Sequence, residues 1–525
     1  MSPEPVPDTN RWVPLASAAI LVIATGLLLR SIWISLAWPM ELDTPLLHYM
    51  GFAVDYGVVP YRDLFVTSFP GAILLHLGIL RTVGSGDQAF MLVNLVWLAA
   101  VIFATWRGLA PLGRRVALAG GVLFGLVYLH GGANIAMQRD AVLILPIACA
   151  ASLSLADQRR TAWRALVIGL CFGLAATIKP HSAMGLPFVL WLGAYSGAGW
   201  LAFFRRTALA AVGFLLPLLC TLAWLVSTGG WEAFLEMVTE YLPLHLELSG
   251  HHEELKGGAR WLHILKRTLA FGPEAAWLIA AVPGWLMVLK VKSLDERARR
   301  ALRLFGVLAV VYALYPAVAG QFWNYHWVAF EYFAAQLAAF CLLDPPELRA
   351  KSALRFAPLV LLVAAIFVSD AANLPSVPDE PTAAQLAGQK RMSKRTGYHH
   401  RVHEISDFLK SELEPGDRVQ PLDWVAGGIH AMLVAEAHIA SPFPSDYHFY
   451  HHVDHPFVQG LRKRLIDELS ATPPRFIVEL HDIPRPKGEG SGQFLELQRL
   501  IRRNYVAAKR GQNWTVWELR SIAND

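Results

Sequence analysis

Three stretches place ionisable residues directly beside long apolar runs, and each is suited to a different part of a group transfer. The first reads WPMELDTPLLHYMGFAVDYGVVPYRDLFVTSFPGA and carries Glu41, Asp43, Asp55 and Asp63. A carboxylate at Asp43, aimed into a cavity, can take the proton from an attacking hydroxyl. The competing expectation is that Asp43 caps the helix that follows it through the free amides of the first turn. The second stretch, HGGANIAMQRDAVLILP, ends in adjacent Arg139 and Asp140. There a guanidinium suits an anionic phosphate, and the carboxylate suits orienting an acceptor or the surrounding loop; the plainer alternative is a helix-start carboxylate offset by its neighbour. The third, ATIKPHSAMGLP, contributes Lys179, either a phosphate clamp or a lysine reaching for the interface. Low dielectric would strengthen a clamp, because unit charges 4 Å apart attract by about 4 kcal/mol at an effective dielectric of 20 and by only about 1 kcal/mol in water.

Histidines form further clusters: His251/His252 beside Glu253/Glu254, His399/His400/His403, and His448/His451/His452/His455 with Asp454. His399 and His403 are spaced to share a helix face, yet no zinc-ligand pattern accompanies them, so these clusters read as solvated surface and no metal site is predicted. In GQFWNYHWVAFEYF the aromatic residues read as an interface belt with Tyr325 and His326 at headgroup level. The four cysteines, Cys149, Cys171, Cys220 and Cys341, all sit inside apolar runs, which gives no disulfide framework.

The elements that must position these residues are membrane helices. Of 525 residues, 54% are hydrophobic and 17% charged, against about 25% charged in ordinary soluble domains, and the deficit falls between roughly residues 13 and 371. The first apolar stretch, Trp12 to Met40, is too long for a signal-peptide core of about 7–15 residues and reads as a retained helix. Further runs centre near Val96, Leu123, Pro146, Gly169, Leu190, Leu215, Ile279, Val310, Ala334 and Leu361, predicting about eleven spans. Arg107/Arg114/Arg115, Arg159/Arg160/Arg164, Arg205/Arg206, Lys290/Lys292/Arg297/Arg299/Arg300 and Arg349/Lys351/Arg355 share one side of that count, which the positive-inside rule makes cytoplasmic. The net charge of +5 arises from these short clusters, a distribution that argues against nucleic-acid binding. Loops near 41–70, 131–140, 179–182, 229–266 and 320–326 then face outwards, with the amino terminus inside and the tail outside. Pro70–Val83 is too short to cross and reads as an interfacial or re-entrant helix, and TPLLHYMGFAVDYG as an amphipathic helix on the outer leaflet.

The predicted organisation is a transmembrane domain over 1–371 with a structured first outer loop (41–83), a Pro-containing linker over 372–395, and a small α/β domain over 396–525. The linker carries LPSVPDEPTAAQ. In the tail, helical periodicity at 399–413 is followed by strand-like RVQPLDW, AGGIHAML, AEAHIA, helical VQGLRKRLIDELS, β-rich RFIVEL, a helix at 493–503 and a hairpin of YVAAKR and TVWELR.

In these motifs and their order, the chain resembles the GT-C superfamily of polyprenyl-phosphate-dependent glycosyltransferases, and in particular bacterial members similar to protein O-mannosyltransferases and lipid A aminoarabinose transferases. The resemblance rests on Asp43 in an acidic first outer loop, GVVPYRDLFVTSFPGA, QRDAVLILP, GLAATIKPHSAMGLP and GQFWNYHWVAFEYFAAQLAAF. It departs at ELD, where many relatives carry Asp directly followed by Glu, and at Phe69, where some carry Lys. The resemblance implies a polytopic α-helical GT-C-like membrane protein with a C-terminal periplasmic α/β domain in the bacterial inner membrane. It implies a polyprenyl-phosphate sugar donor, a glycan, glycolipid or protein acceptor, and no required cofactor. Asp43 and Asp140 become the catalytic candidates; Arg62, Asp63, Arg139, Lys179, His181, Tyr325 and His326 become candidates for substrate binding. Arg62, Arg139 or Lys179 would take over from the lysine missing at Phe69. The leaving phosphate is already acidic, so cations can replace a general acid, and inversion at the anomeric carbon follows. The alternatives are a transporter or flippase of lipid-linked sugars, which would place polar residues at the midplane of broken, paired helices, and a membrane scaffold whose outer domain binds a partner.

Overall fold

The computed structural model describes residues 12–156, 161–194, 199–250, 252–269, 276–289, 291–343, 352–372, 396–481 and 494–520. The Pro-containing linker, His251, Arg159/Arg160, Lys290 and Arg349/Lys351 lie outside these residues.

Helices dominate the described residues up to position 372. Among them, four are long and apolar enough to cross a membrane: Val13–Ser35, Asp87–Leu112, Trp200–Thr228 and Glu296–Ala319. Pro70–Val83, Trp163–Ile178, Leu278–Met287 and Phe356–Asp370 are apolar but shorter. The expected runs near Leu123, Pro146 and Ala334 are the helices Arg114–His130, Ile144–Leu155 and Val328–Ala339, each under 18 residues. The run near Leu190 is a short α turn continued by a π-helical segment, Val189–Ala194. Breaks of this kind leave fewer full-length spanning helices than the apolar runs alone suggest.

Small residues let these helices approach closely, as is usual where hydrocarbon gives no hydrophobic drive to associate. A Cβ at Gly213 would stand 1.9 Å from the Leu166 carbonyl oxygen, so helices Thr161–Ile178 and Trp200–Thr228 touch backbone to backbone. Gly51 plays the same part where helix Asp43–Asp55 crosses helix Pro70–Val83: a Cβ there would lie 2.7 Å from the Leu77 nitrogen.

The tail is an α/β domain. Its five strands, β1 (Arg418–Leu422), β2 (His438–Ile439), β3 (Phe476–Leu480), β4 (Tyr505–Gly511) and β5 (Trp514–Leu519), lie in the order β2-β1-β3-β5-β4. β1 runs parallel to β2 and β3, while β5 is antiparallel to β3 and β4. Apolar Phe476, Ile477, Val478 and Leu480 make β3 a buried central strand. Helices Thr396–Glu412, Gly428–Val434, Pro456–Ala471 and Leu495–Asn504 pack around the sheet.

This domain docks onto the first loop, within residues 41–83, which corrects two expectations. Helix Asp43–Asp55 is not half-buried like a leaflet helix: Thr44, Pro45, Leu47, His48, Tyr49, Met50, Gly51 and Ala53 are all buried. Tail contacts help explain why. The Tyr49 hydroxyl donates to the Ala437 carbonyl at 2.7 Å, Tyr56 stacks on His438 at 4.0 Å, and the Phe65 amide donates to the Pro442 carbonyl at 2.6 Å. Nor is the second tail histidine cluster solvated, since His448, His451 and His452 are all buried against the loop that follows helix Trp200–Thr228, whereas His400 and His403 are exposed as expected. His448 Nδ1 sits 2.7 Å from the Tyr241 hydroxyl with Phe65 edge-on to its ring, and the His452 amide donates to Glu254 at 2.6 Å. The apolar neighbours responsible are distant in sequence, so local polarity misreads the cluster.

Burial, with His245 and His451 nearby, pushes His448 from its ordinary 6.5 down to about 3. Undocked, it would take a proton below about pH 6.5; docked, it resists until about pH 3, so docking is at full strength above pH 6.5 and weakens as pH falls. At pH 5 the loss approaches about 2 kcal/mol for this histidine. Amide protection of residues 443–455, measured by hydrogen exchange and corrected for intrinsic rates, is therefore expected to fall between pH 7 and pH 5, and the fall to become shallower in His448→Phe, the remainder coming from His451, which burial also holds down to about 3. Protection that is constant across this range would contradict the assignment.

Candidate active site

Four loops expected to share a face do meet. Asp43 opens helix Asp43–Asp55, Arg139 and Asp140 open the short helix Arg139–Val142, Lys179 follows helix Thr161–Ile178, and Tyr325 lies in the 3₁₀ turn Asn324–Trp327. Arg139 Nη2 donates to Asp43 Oδ2 at 2.9 Å, and Lys179 Nζ donates to both Asp140 oxygens at 2.9 and 2.7 Å. The Tyr325 hydroxyl donates to the same Asp43 oxygen at 3.3 Å, and the Lys179 ammonium lies 5.9 Å from the Tyr325 ring centre, which ties one pair to the other.

The helix-cap expectation for Asp43 fails here. The N-cap residue is Leu42, which makes no side-chain cap bond, and Asp43 Oδ2 is turned instead to Arg139 and Tyr325. Its other oxygen, Oδ1, has no hydrogen bond among the described residues, and the side chain stays 24% exposed, so an incoming hydroxyl can reach it. Tyr325 and His326 are not a headgroup belt: both are buried. His181 packs its ring 4.4 Å from that of Tyr315. Arg62 and Asp63 stand apart, forming an exposed pair at 2.7 Å with each other, in which the hydrogen bond from Arg62 holds the Asp63 carboxyl below its ordinary range. The tail's Arg464 donates to the Arg62 carbonyl at 2.8 Å.

Two contributors escaped the sequence reading. Tyr315 donates its hydroxyl to Asp140 Oδ1 at 2.7 Å, and Ser68 Oγ accepts from Arg139 Nη1 at 3.3 Å. Tyr315 lies at the end of an apolar run, YALYPAVAG, where only its adjacency to an outward loop marks it.

The loops hold unusual backbone shapes at the site. Leu42, Met137 and Phe322 adopt left-handed φ of 52°, 54° and 55°, each within three residues of Asp43, Arg139 or Tyr325. Such conformations cost about 1–3 kcal/mol each and persist where surrounding contacts over-determine them. Buried Arg139 Nε, His181 Nε2, Ser182 Oγ and His326 Nδ1 have no hydrogen-bond partner among the described residues. Each unsatisfied group costs about 1–3 kcal/mol, so a polar ligand entering here would recover part of that. Two carboxylates and two cations make the cluster formally neutral, so an anion could bind without first overcoming a net negative field. Among the described residues, no group of three or more His, Cys, Asp or Glu has the geometry to hold a metal ion.

The fold has known counterparts. The fold is similar to that of a crystal structure of ArnT from Cupriavidus metallidurans bound to undecaprenyl phosphate, with TM-score 0.54 and 12% identity, over 94% of this chain and 97% of that chain. The apo structure of the same protein matches with TM-score 0.51 and 11% identity, over 96% and 98% of the two chains. No protein-family model matches the chain, and no curated protein matches its sequence. The chain thus shares its overall fold with ArnT, in keeping with the resemblance that the sequence motifs carry.

Asp140 is 1% exposed, so removing its cation would strand a buried charge, a change that typically costs about 3–5 kcal/mol. Lys179→Met is expected to lower thermal stability in detergent, and Lys179→Met/Asp140→Asn to recover much of the loss. Equal stability in wild type and Lys179→Met would show that the pair contributes little.

Proposed function

We propose that the chain is an integral-membrane glycosyltransferase that moves a sugar from a polyprenyl phosphate to an acceptor hydroxyl at the periplasmic face of a bacterial inner membrane, with inversion at the anomeric carbon. The observation that carries this reading is the convergence of Asp43, with one carboxylate oxygen open, and the cations Arg139 and Lys179 at one end of the bundle. Similarity in fold to a protein crystallised with undecaprenyl phosphate supports the donor class. The charged groups gather at helix ends rather than around a midplane break, which favours an enzyme over a carrier of lipid-linked sugars.

In this scheme the donor phosphate lies against Arg139, whose Nε still lacks a partner among the described residues, and against Lys179. His181 and His326 offer further nitrogen atoms to it. The acceptor oxygen attacks the anomeric carbon from the face opposite the phosphate. Its proton passes to Asp43, the new carbon–oxygen bond forms, and the bond to the phosphate breaks with both electrons going to the leaving group. Tyr325 and Arg139 hold the Asp43 carboxylate in line during attack, and Asp140 fixes Lys179. Acceptors of this class are a glycolipid, a polysaccharide or a protein.

Asp43→Asn keeps shape and hydrogen bonding to Tyr325 but cannot accept a proton at neutral pH. Turnover is expected to fall by about 10²–10⁴ while affinity for undecaprenyl phosphate is retained. The assay is transfer of label from membrane-extracted prenyl-phosphate sugars to envelope glycans, compared by mass spectrometry in cells with and without the gene. A folded Asn variant with near-normal transfer would remove Asp43 as the base.

A further inference from the structure

A cavity of about 400 Å³ opens beside Asp43, within the range of about 300–1,000 Å³ typical of small-ligand sites. Leu42, the chain neighbour of Asp43, and Tyr325, its hydrogen-bond partner, both line it; Arg139, Asp140 and Lys179 do not. The cavity is therefore a different compartment from the one the donor phosphate would occupy, and it reaches Asp43 through Leu42 and Tyr325.

Its walls have a definite chemistry. Asn134 and Asn324 are exposed on them, and neither side chain makes a hydrogen bond to another described residue. Gln321 is anchored through its amide nitrogen to the His245 ring at 3.1 Å and carbonyl at 3.3 Å. Trp323, half-buried, stacks on the buried Tyr325, 10° from parallel with centres 6.4 Å apart, and gives the cavity an aromatic wall beside the two asparagines. A carboxamide donates and accepts at once, which matches a hydroxyl that does the same. Flat aromatic rings offer apolar faces to the carbon–hydrogen face of a pyranose. A phosphate would favour several cations, and among the lining residues Arg267 is the one Lys or Arg, its guanidinium 6.0 Å from the Phe322 ring centre. An acyl chain would favour walls without free amides.

We infer that this cavity is the acceptor subsite, built for a neutral hydroxyl-rich sugar ring that packs against Trp323 and bonds Asn134 and Asn324, with one hydroxyl presented towards Asp43. The inference rests on the glycosyltransferase reading for the role of that hydroxyl, although the recognition of a sugar ring does not depend on it. The acceptor hydroxyl then loses its proton to Asp43 as its oxygen bonds the anomeric carbon, and the phosphate leaves with the electron pair from the broken bond.

The test uses the full chain in lipid nanodiscs. Saturation-transfer NMR is recorded with the methyl glycosides of glucose, galactose and mannose as probes, beside equilibrium binding of radiolabelled undecaprenyl phosphate. Saturation is expected on the ring protons of at least one glycoside, reduced at least threefold in Asn134→Leu/Asn324→Leu and, independently, in Trp323→Leu. Undecaprenyl phosphate affinity is expected to stay within twofold in the asparagine variant, which also reports that it is folded. Saturation of no glycoside, or equal saturation in wild type and the asparagine variant, would overturn the subsite. Sugar binding without any undecaprenyl phosphate binding would leave the subsite standing and remove the donor reading instead.

Discussion

Two carboxylate–cation pairs, Asp43 with Arg139 and Asp140 with Lys179, tie the loops that carry them to one another. Arg139 and Asp140 are neighbours in the chain, so one short helix pulls on two partners in opposite parts of the sequence: Asp43 lies 96 positions from Arg139 and Lys179 lies 39 from Asp140. In a partly buried setting a lone charge of either kind would be costly. Each side chain therefore depends on its partner, and the loops that carry them keep positive φ at Leu42, Met137 and Phe322 to hold them there. Much of the surrounding architecture serves this constraint. Gly51 lets helix Asp43–Asp55 lie on helix Pro70–Val83, and the tail domain closes over that helix through Tyr49, Tyr56 and Phe65.

The same pairing shapes what the site can do chemically. Because the pairs are already closed, the proposed donor would not need to gather scattered cations, only to share those that are held. Arg139 is suited to sharing, since its two terminal nitrogens serve Asp43 and Ser68 while Nε has no partner among the described residues. The division of labour is spatial: cations on one side of Tyr325, an amide- and aromatic-lined cavity reaching the same tyrosine from elsewhere. Tyr325, bonded to Asp43, belongs to both.

Much of this was legible in the residue order. The alternation of strand-like and helical segments in the tail anticipates β1, β3 and the β4–β5 hairpin, because a buried strand such as FIVEL and an amphipathic helix such as VQGLRKRLIDELS leave opposite periodic signatures. The charge asymmetry of the loops puts the stretches carrying Asp43, Arg139, Asp140, Lys179 and Tyr325 on one side, without saying that they meet. What sequence could not supply was partnership over distance. Nothing local tells that Asp43 turns away from its own helix amides, or that Tyr315 reaches Asp140. His448 reads as solvated because its cover lies far earlier in the chain: Tyr241 stands 207 positions before it, and Phe65 belongs to the first loop. Span number was hard to read for another reason: apolar runs near Pro146 and Leu190 are interrupted by helix breaks, and periodicity does not report where a buried helix stops.

That the paired cations form the donor-phosphate site beside Asp43 is the claim on which the mechanism stands, and it is tested most directly by an electron cryo-microscopy structure of the full chain in nanodiscs with undecaprenyl phosphate. Phosphate oxygens are expected within hydrogen-bond reach of Arg139 or Lys179, on the Asp43 side of the cluster. A phosphate bound away from both cations, with the Asp43–Arg139 and Asp140–Lys179 pairs unchanged, would contradict it.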